Sequence, residues 1–291
     1  MRLCFPAVTL ALVTGVATLQ AADCDRVCLA GFITQYLDAM VAHNPAKLPL
    51  SGNLRFTEDG VDMKLGEGLW KDASKIRAYR EDVLDVMQGV AATRVVVEEG
   101  GTPVLLAMRL KVADRKITEV ETQVTRTQKE GALFVLDTLQ NPGPMSMLLD
   151  KSQHTPREEL IKTALFYPAG LKVGSFVKVD APFAPDAYRF ENGARMAGKG
   201  CSRAGCEDIK NQKIMEHPGI TTRVVAVDED TGVVLLRMNF GQTNSYGAGN
   251  ALMCWEAFKI YGGRIHGVVA FMKIMPVGLG NGGWNDGAVK E

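Results

Sequence analysis

Residues 93–111 read TRVVVEEGGTPVLLAMRLK, and residues 222–240 read TRVVAVDEDTGVVLLRMNF. Each is a hairpin in outline: two runs of β-branched and aliphatic residues around a turn rich in glycine and acid. That the chain writes it twice decides the fold. Two more echoes flank it. Residues 54–60 (LRFTEDG) return as 188–193 (YRFENG), and residues 114–120 (DRKITEV) as 262–268 (GGRIHGV). The offsets are 189 − 55 = 134, 222 − 93 = 129 and 265 − 117 = 148. Offsets that stay close and then jump predict two copies of one unit, the second carrying an insertion before its last strand. Units of roughly a hundred residues are domains rather than solenoid repeats, which run to about 20–45 residues.

The expected organisation is therefore a leader over residues 1–22, one domain over 23–127, a connector over 128–154, a second domain over 155–275 and a glycine-rich tail over 276–291. The leader reads as a signal peptide: Arg2, then a threonine-broken apolar stretch from Leu3 to about Leu19, then Ala21 and Ala22. A membrane anchor is the competing reading, but the run is short and threonine-rich for a span of about 20 apolar residues. The expectation is a periplasmic or secreted protein with no membrane contact after cleavage. Lys plus Arg and Asp plus Glu stand at 33 each, so no global field draws the chain to nucleic acid or anionic lipid. The cysteines agree with export. Cys24 and Cys28 are four apart and Cys201 and Cys206 five apart, so each pair can close a short loop in an oxidising compartment. Neither pair has zinc-ligand spacing and no histidine lies close, so no metal is expected. Cys254, inside an apolar run, reads as a buried thiol.

In the first unit Ile33, Tyr36, Leu37, Met40 and Val41 recur at helical spacing, and Asn44-Pro45 ends that helix. A second helix is expected over residues 72–87, with Ile76, Tyr79, Val83 and Val86 on one side. Strands are expected over 93–98, 103–112 and 116–127. The second unit opens on Thr155-Pro156-Arg157-Glu158, which predicts threonine as N-cap, proline at the first helical position and a kink or end at Pro168. Strands follow over 222–227, 233–240, 252–261 and 264–274.

A lead helix, a short strand, a small helix and long antiparallel strands describe an α+β cone. With Cys24-Asp25-Arg26-Val27-Cys28, Arg55-Phe56-Thr57-Glu58, GEGLW at 66–70, Arg189-Phe190-Glu191-Asn192-Gly193 and Pro276-Val277-Gly278-Leu279-Gly280 before Trp284, the chain resembles secreted tandem NTF2-like (SnoaL-like) proteins of bacteria and fungi. The resemblance implies two cone domains, each a curved antiparallel sheet wrapped around helices. It also implies a superfamily of cofactor-free isomerases, dehydratases, cyclases and lignin-dimer γ-formaldehyde lyases, together with binding modules that have no catalysis. This sequence departs from the pattern where Lys273-Ile274 stands in place of a His-Arg pair.

Recognised catalytic motifs are otherwise missing, and G-x-G-x-x-G at 278–283 lacks a βαβ unit and reads as a flexible tail. Pocket logic supplies the candidates. Tyr167, Glu191, His217 and Glu256 are the expected acid/base and hydrogen-bonding groups of the second copy. Tyr167 sits on a lead helix, where a phenol can donate to an oxyanion. His217 sits in a loop and titrates near neutrality. Glu256 shares a strand face with Leu252, Cys254 and Phe258, where burial raises its pKa. Tyr36, Arg55, Trp70, Tyr79, Arg189, Trp255 and His266 are the expected substrate-binding set, and Arg55 and Arg189 are read as equivalents followed by acids. Each also has a plain structural reading, as a packed aromatic, a salt bridge or a loop residue. The function expected is an exported lyase or isomerase for a small hydrophobic, aromatic molecule. The alternative is a binding module without chemistry. The second copy is expected to serve the first as a built-in partner in a pseudo-dimer, and a homo-oligomer is compatible with the sequence.

Overall fold

The computed structural model describes residues 24–141, 143–279 and 283–284, so the expected leader lies outside the described residues. The first unit runs α1 (Arg26–Val41), β1 (Leu50–Glu58), β2 (Val61–Asp62), β3 (Ala73–Asp85), β4 (Val90–Glu99), β5 (Thr102–Ala113) and β6 (Lys116–Thr125). A short helix α2 (Gln128–Gly131) and three single-turn 3-10 segments follow. The second unit runs α3 (Arg157–Lys172), β7 (Phe183–Glu191), β8 (Ala194–Ala197), β9 (Thr221–Asp228), β10 (Val233–Gln242), β11 (Asn250–Tyr261) and β12 (Arg264–Pro276). Each unit builds a six-stranded sheet of one topology: β2-β1-β6-β5-β4-β3 and β8-β7-β12-β11-β10-β9. In both, the first strand runs parallel to the last and all other pairs are antiparallel. The fold is the expected α+β tandem, two units of one topology, each a six-stranded sheet packed on a lead helix.

Each sheet has two working faces, because side chains alternate along a strand. The concave face of the first wraps α1, where Leu29, Ile33, Tyr36 and Leu37 meet Val95, Leu106 and Leu110. The concave face of the second wraps α3, where Leu160, Ala164 and Tyr167 meet Leu236, Phe258 and Val268. The outer faces pack on each other through a third apolar cluster holding Tyr79, Val83, Leu105, Leu235, Trp255 and Phe271. Buried ions bridge this seam. Arg223 meets Glu121 at 2.7 Å and Arg157 meets Asp85 at 2.7 Å, each pair joining the two domains. Lys273 reaches Asp59 at 2.7 Å and the Val124 carbonyl at 2.6 Å, so it faces the first domain and not the cone.

Four expectations are corrected here. The stretch expected to be a helix over 72–87 instead forms the strand β3 over Ala73–Asp85. Its buried positions alternate, but they include Glu81 and Asp85, which a reading of hydrophobicity assigns to the surface. Those acids are paired with Arg94 and Arg157, so the period of two was hidden by charge. In α3 the N-cap is Pro156 and Thr155 makes no cap, so the helix starts one residue late. The helix also passes through Pro168 without ending; it stops four residues later at Lys172, with Tyr167, Pro168 and Leu171 buried. An internal proline costs about 3 kcal/mol, which burial of this face offsets.

The third correction concerns the repeat itself. Phe56 pairs with Val120 and Arg189 with Val268. Leu110 pairs with Val120 and Phe258 with Val268. Val120 and Val268 are therefore equivalent (268 − 120 = 148), and Phe56 rather than Arg55 is the equivalent of Arg189 (189 − 56 = 133). Likewise Ala91 pairs with Leu110 and Val234 with Phe258, so β4 corresponds to β10 (234 − 91 = 143). The hairpins that look alike in sequence, β4–β5 and β9–β10, thus occupy positions one strand apart. The extra residues of the second copy lie at 198–220, before β9, and at 243–249, before β11, not before the last strand. Alternating hairpins all resemble one another, so the echo could not fix which strand it marked.

The fourth correction is the tail. Trp284 is buried, its indole N–H donates to Thr57 Oγ1 at 2.9 Å, and the Arg55 guanidinium lies 4.0 Å from its ring centre. Gly283 and Trp284 are therefore docked on the first domain, while Val277, whose N–H bonds the Gly249 carbonyl at 3.0 Å, and Leu279, packed against Ala251, Met253 and Met275, stay on the second.

Candidate active site

The second cone is open. A cavity of ≈ 320 Å³ is walled by Tyr167 and Leu171 of α3, Arg189 and Glu191 of β7, Glu256 of β11, and His217 and Tyr246. The four expected catalytic residues and Arg189 therefore meet in one place. The frame explains how. Tyr167 lies on the buried stripe of α3, beside Phe176 and Phe258 at ring separations of 4.9 and 5.0 Å. Arg189 and Glu191 are two apart on β7 and so share its concave face. Glu256 faces the same interior from β11.

The polar groups form one network. Arg189 Nη1 donates to the Tyr167 hydroxyl at 3.1 Å, its Nη2 donates to Gln212 Oε1 at 2.8 Å, and its Nε lies 2.9 Å from Glu191. Gln212 is fixed in turn by donating to the Met196 carbonyl at 2.9 Å. Tyr167 hydrogen-bonds Glu256. Glu256 is buried, and its pKa is raised to about 8. Burial is the main cause and the Glu191 carboxylate adds to it, while Arg189 and the Tyr167 bond pull the other way. Near neutral pH Glu256 is therefore a protonated acid.

His217 is held differently. Its backbone N–H bonds the Leu171 carbonyl at the end of α3 at 2.9 Å. Its ring stacks on Tyr246 with centres 6.1 Å apart and meets the Phe240 edge at 4.8 Å. Burial lowers its pKa below the ordinary 6.5, so the imidazole is neutral. Its Nδ1 is buried with no hydrogen-bond partner among the described residues. A neutral histidine with a spare nitrogen beside a protonated carboxylic acid is an arrangement suited to moving protons.

The loop at 198–220 delivers Gln212 and His217. It is pinned by the Cys201–Cys206 disulfide and by the Gly198 N–H to Cys206 carbonyl bond at 2.9 Å. A second disulfide, Cys24–Cys28, closes the N-terminal turn, and Cys254 is a buried free thiol. Gln212 and Tyr246 were not foreseen. Both lie in the two stretches by which the second copy exceeds the first, and that excess was their one signal in the sequence.

The remaining sequence candidates lie elsewhere. Tyr36 and Trp70 are in the first cone, bonded to each other. Arg55 points outward, because the one-residue slip in its alignment reverses its face. Tyr79 and Trp255 face the seam between the sheets, not a cone. His266 is stacked on Tyr261 at 3.5 Å near the connector, with Nε2 3.2 Å from the Tyr261 carbonyl. Among the described residues no group of three or more His, Cys, Asp and Glu could hold a metal ion, and no helix is long and apolar enough to cross a membrane.

Residues 153–272 match the family described as a domain of unknown function, DUF8021, a span that coincides with the second unit. No curated protein matches the chain. Among solved structures, a de novo designed protein with a curved β-sheet is 17% identical over 34% of this chain and 87% of that chain, with a TM-score of 0.30. An NTF2-like protein of unknown function from Cytophaga hutchinsonii ATCC 33406 is 13% identical over 33% of this chain and 88% of that chain, with a TM-score of 0.28. AclR from Streptomyces galilaeus is 14% identical over 50% of this chain and 99% of that chain, with a TM-score of 0.30.

Proposed function

We propose that the protein is a cofactor-free lyase or isomerase that transfers protons within the second cone, on a small hydrophobic aromatic molecule. The observation that carries this reading is the pairing of a neutral, unpartnered His217 with a protonated Glu256 in one cavity. The neutral His217 imidazole takes a proton from the substrate. Glu256 gives its proton to the leaving or rearranging oxygen, supported by Tyr167 and Arg189, whose donors stabilise developing negative charge. Loss of water uses the pair directly: the C–H electron pair becomes the new double bond as the C–O bond breaks and the departing hydroxyl takes the Glu256 proton. In a double-bond shift the proton returns to carbon instead, and in loss of formaldehyde His217 takes a hydroxymethyl O–H proton, the C–C bond breaks and its electron pair expels a neighbouring hydroxyl that Glu256 protonates. The apolar wall of Leu171, Phe240 and Met272 favours an aromatic body. The two disulfides fit work outside the reducing cytoplasm.

The test is incubation of the purified protein with phenolic dimers, polyketide-like aromatics and steroids, followed by mass spectrometry and chromatography. Turnover is expected for at least one class, with Glu256→Gln and His217→Ala each lowering it about 10²–10⁴-fold. The rate should be bell-shaped in pH. Its acid limb lies below 6.5, where His217 charges, and its basic limb is near 8, where Glu256 ionises. A molecule that binds the cone and returns unchanged, with these substitutions altering affinity alone, would make the protein a binder instead.

A further inference from the structure

A second cavity, of ≈ 360 Å³, lies outside both cones, where the connector crosses the seam between the sheets. Its walls are Tyr79 from the first sheet, Tyr188 and Phe190 from β7, and Leu139 from the connector, with Glu81 in its depth and Arg195 at its mouth. The aromatic walls are fixed. Tyr79 stacks on Phe271 at 5.9 Å, and Tyr188 meets Phe190 edge-on at 5.8 Å. Tyr188 lies flat over Gly267, where a Cβ would sit 2.5 Å from the phenol oxygen, so the glycine makes room for the ring.

Three polar groups in this cavity have specific states. The Tyr188 hydroxyl is buried and has no hydrogen-bond partner among the described residues. Glu81 is already paired: its Oε2 accepts a hydrogen bond from Tyr79 at 2.7 Å and meets Arg94 in an ion pair at 2.7 Å. Arg195 is different. Its guanidinium rests 4.5 Å from the centre of the Phe190 ring, and no carboxylate pairs with it among the described residues. A cation parked on an aromatic face at the rim of an apolar hollow is a ready anion anchor, since guanidinium binds carboxylate in a planar, two-pronged fashion.

From this juxtaposition we infer a binding site, separate from the cone, for a small aromatic carboxylate. The ring enters between Tyr79, Tyr188 and Phe190, and the carboxylate meets Arg195. Because the walls come from both sheets and the connector, the ligand stabilises the seam when bound.

The test uses the purified full protein and three probes, phenylacetate, 4-phenylbutyrate and 1-naphthoate, each beside its neutral amide, by titration calorimetry at pH 7. At least one acid is expected to bind, at least tenfold more tightly than its amide. Arg195→Gln, a change at an exposed residue, should weaken that acid about tenfold, as loss of a charge-assisted hydrogen bond requires. Tyr188→Phe should weaken it less. Glu256→Gln, in the cone, should leave the affinity unchanged, which separates this site from the proposed active site. The inference is overturned if no acid binds up to millimolar concentration, if acid and amide bind alike, if Arg195→Gln changes nothing, or if Glu256→Gln abolishes binding.

Discussion

At four equivalent positions of the frame, the first cone holds Tyr36, Phe56, Glu58 and Met108, and the second holds Tyr167, Arg189, Glu191 and Glu256. The tyrosine and one glutamate are kept; the arginine and the second glutamate are found in the second cone alone. What fills the space differs as much. In the first cone Trp70 enters from the short turn before β3, donates its N–H to the Tyr36 hydroxyl at 2.8 Å and packs edge-on against that ring at 5.1 Å. Glu58 accepts from the Leu69 N–H at 2.9 Å and from Arg126 at 3.1 Å. Its polar groups are thus spoken for. In the second cone the corresponding turn is lengthened into the loop at 198–220, no tryptophan enters, and polar side chains line the vacated volume. The comparison teaches that this frame is neutral toward chemistry: one loop and two side chains separate a packed core from a candidate site.

The comparison breaks first at Trp70. If the first cone is filled for stability, Trp70→Ala should cost about 3–5 kcal/mol in denaturant unfolding, the range for a buried large aromatic. His217→Ala, which only enlarges an existing cavity, should cost about 1 kcal/mol or less. Equal losses would mean that both cones are packed cores. Next in size is Arg189→Met. It leaves Glu191 and Glu256 without their shared cation, and a loss of about 2–3 kcal/mol is expected at pH 8. Phe56→Met, at the equivalent position, keeps an apolar contact and should cost less than about 1.5 kcal/mol.

The sequence made the frame legible and blurred its register. The lead helices, the glutamates at 58 and 191 and the tyrosines at 36 and 167 were readable because helix spacing and local motifs survive without tertiary context. The strand β3 was not, because Glu81 and Asp85 are buried by partners far away in the chain, which no local pattern announces. Arg55 was matched to Arg189 by letter, and a one-residue slip in a strand turns a cone residue into a surface one. Glu256 is legible as an acid on an apolar strand face and His217 as a base in a loop before a strand. Trp255 and His266 are enclosed by the seam and by Tyr261 near the connector instead, which no local pattern distinguishes from a cone.

A smaller effect sharpens the electrostatic side. The folded pKa of Glu256 is raised to about 8, above the ordinary 4.5 of an unfolded chain. Between those values the native state holds a proton that the unfolded state has released, so stability is full below pH 4.5 and falls as pH rises through 8. Glu256→Gln removes the loss. Its unfolding free energy should exceed that of the parent protein by on the order of 1–2 kcal/mol at pH 9 and match it at pH 5, read from denaturant unfolding at the two pH values. Met108→Gln in the first cone has no proton to retain, so its effect should not vary with pH over that range.

The smallest prediction concerns the outer face, where the frame is also reused. Arg55 and Tyr188 are equivalents: Arg55 pairs with Glu119 and Tyr188 with Gly267, on strands that superpose by register. Both point away from the cones. Arg55 holds the tail, lying 4.0 Å from the Trp284 ring centre, bonding the Gly283 carbonyl at 3.2 Å and meeting Asp62 at 2.9 Å. The contacts are half-exposed, and a cation–π contact there is worth about 0.5–1 kcal/mol. Arg55→Gln should therefore lower stability by no more than about 1 kcal/mol, while tail release shifts Trp284 emission to the red as the indole meets water. The first cone, closed by Trp70, should be untouched by that release, and so should turnover in the second. A fall in turnover on Arg55→Gln would mean that the tail reaches the chemistry, and the division between a supporting domain and a reacting one would have to be redrawn.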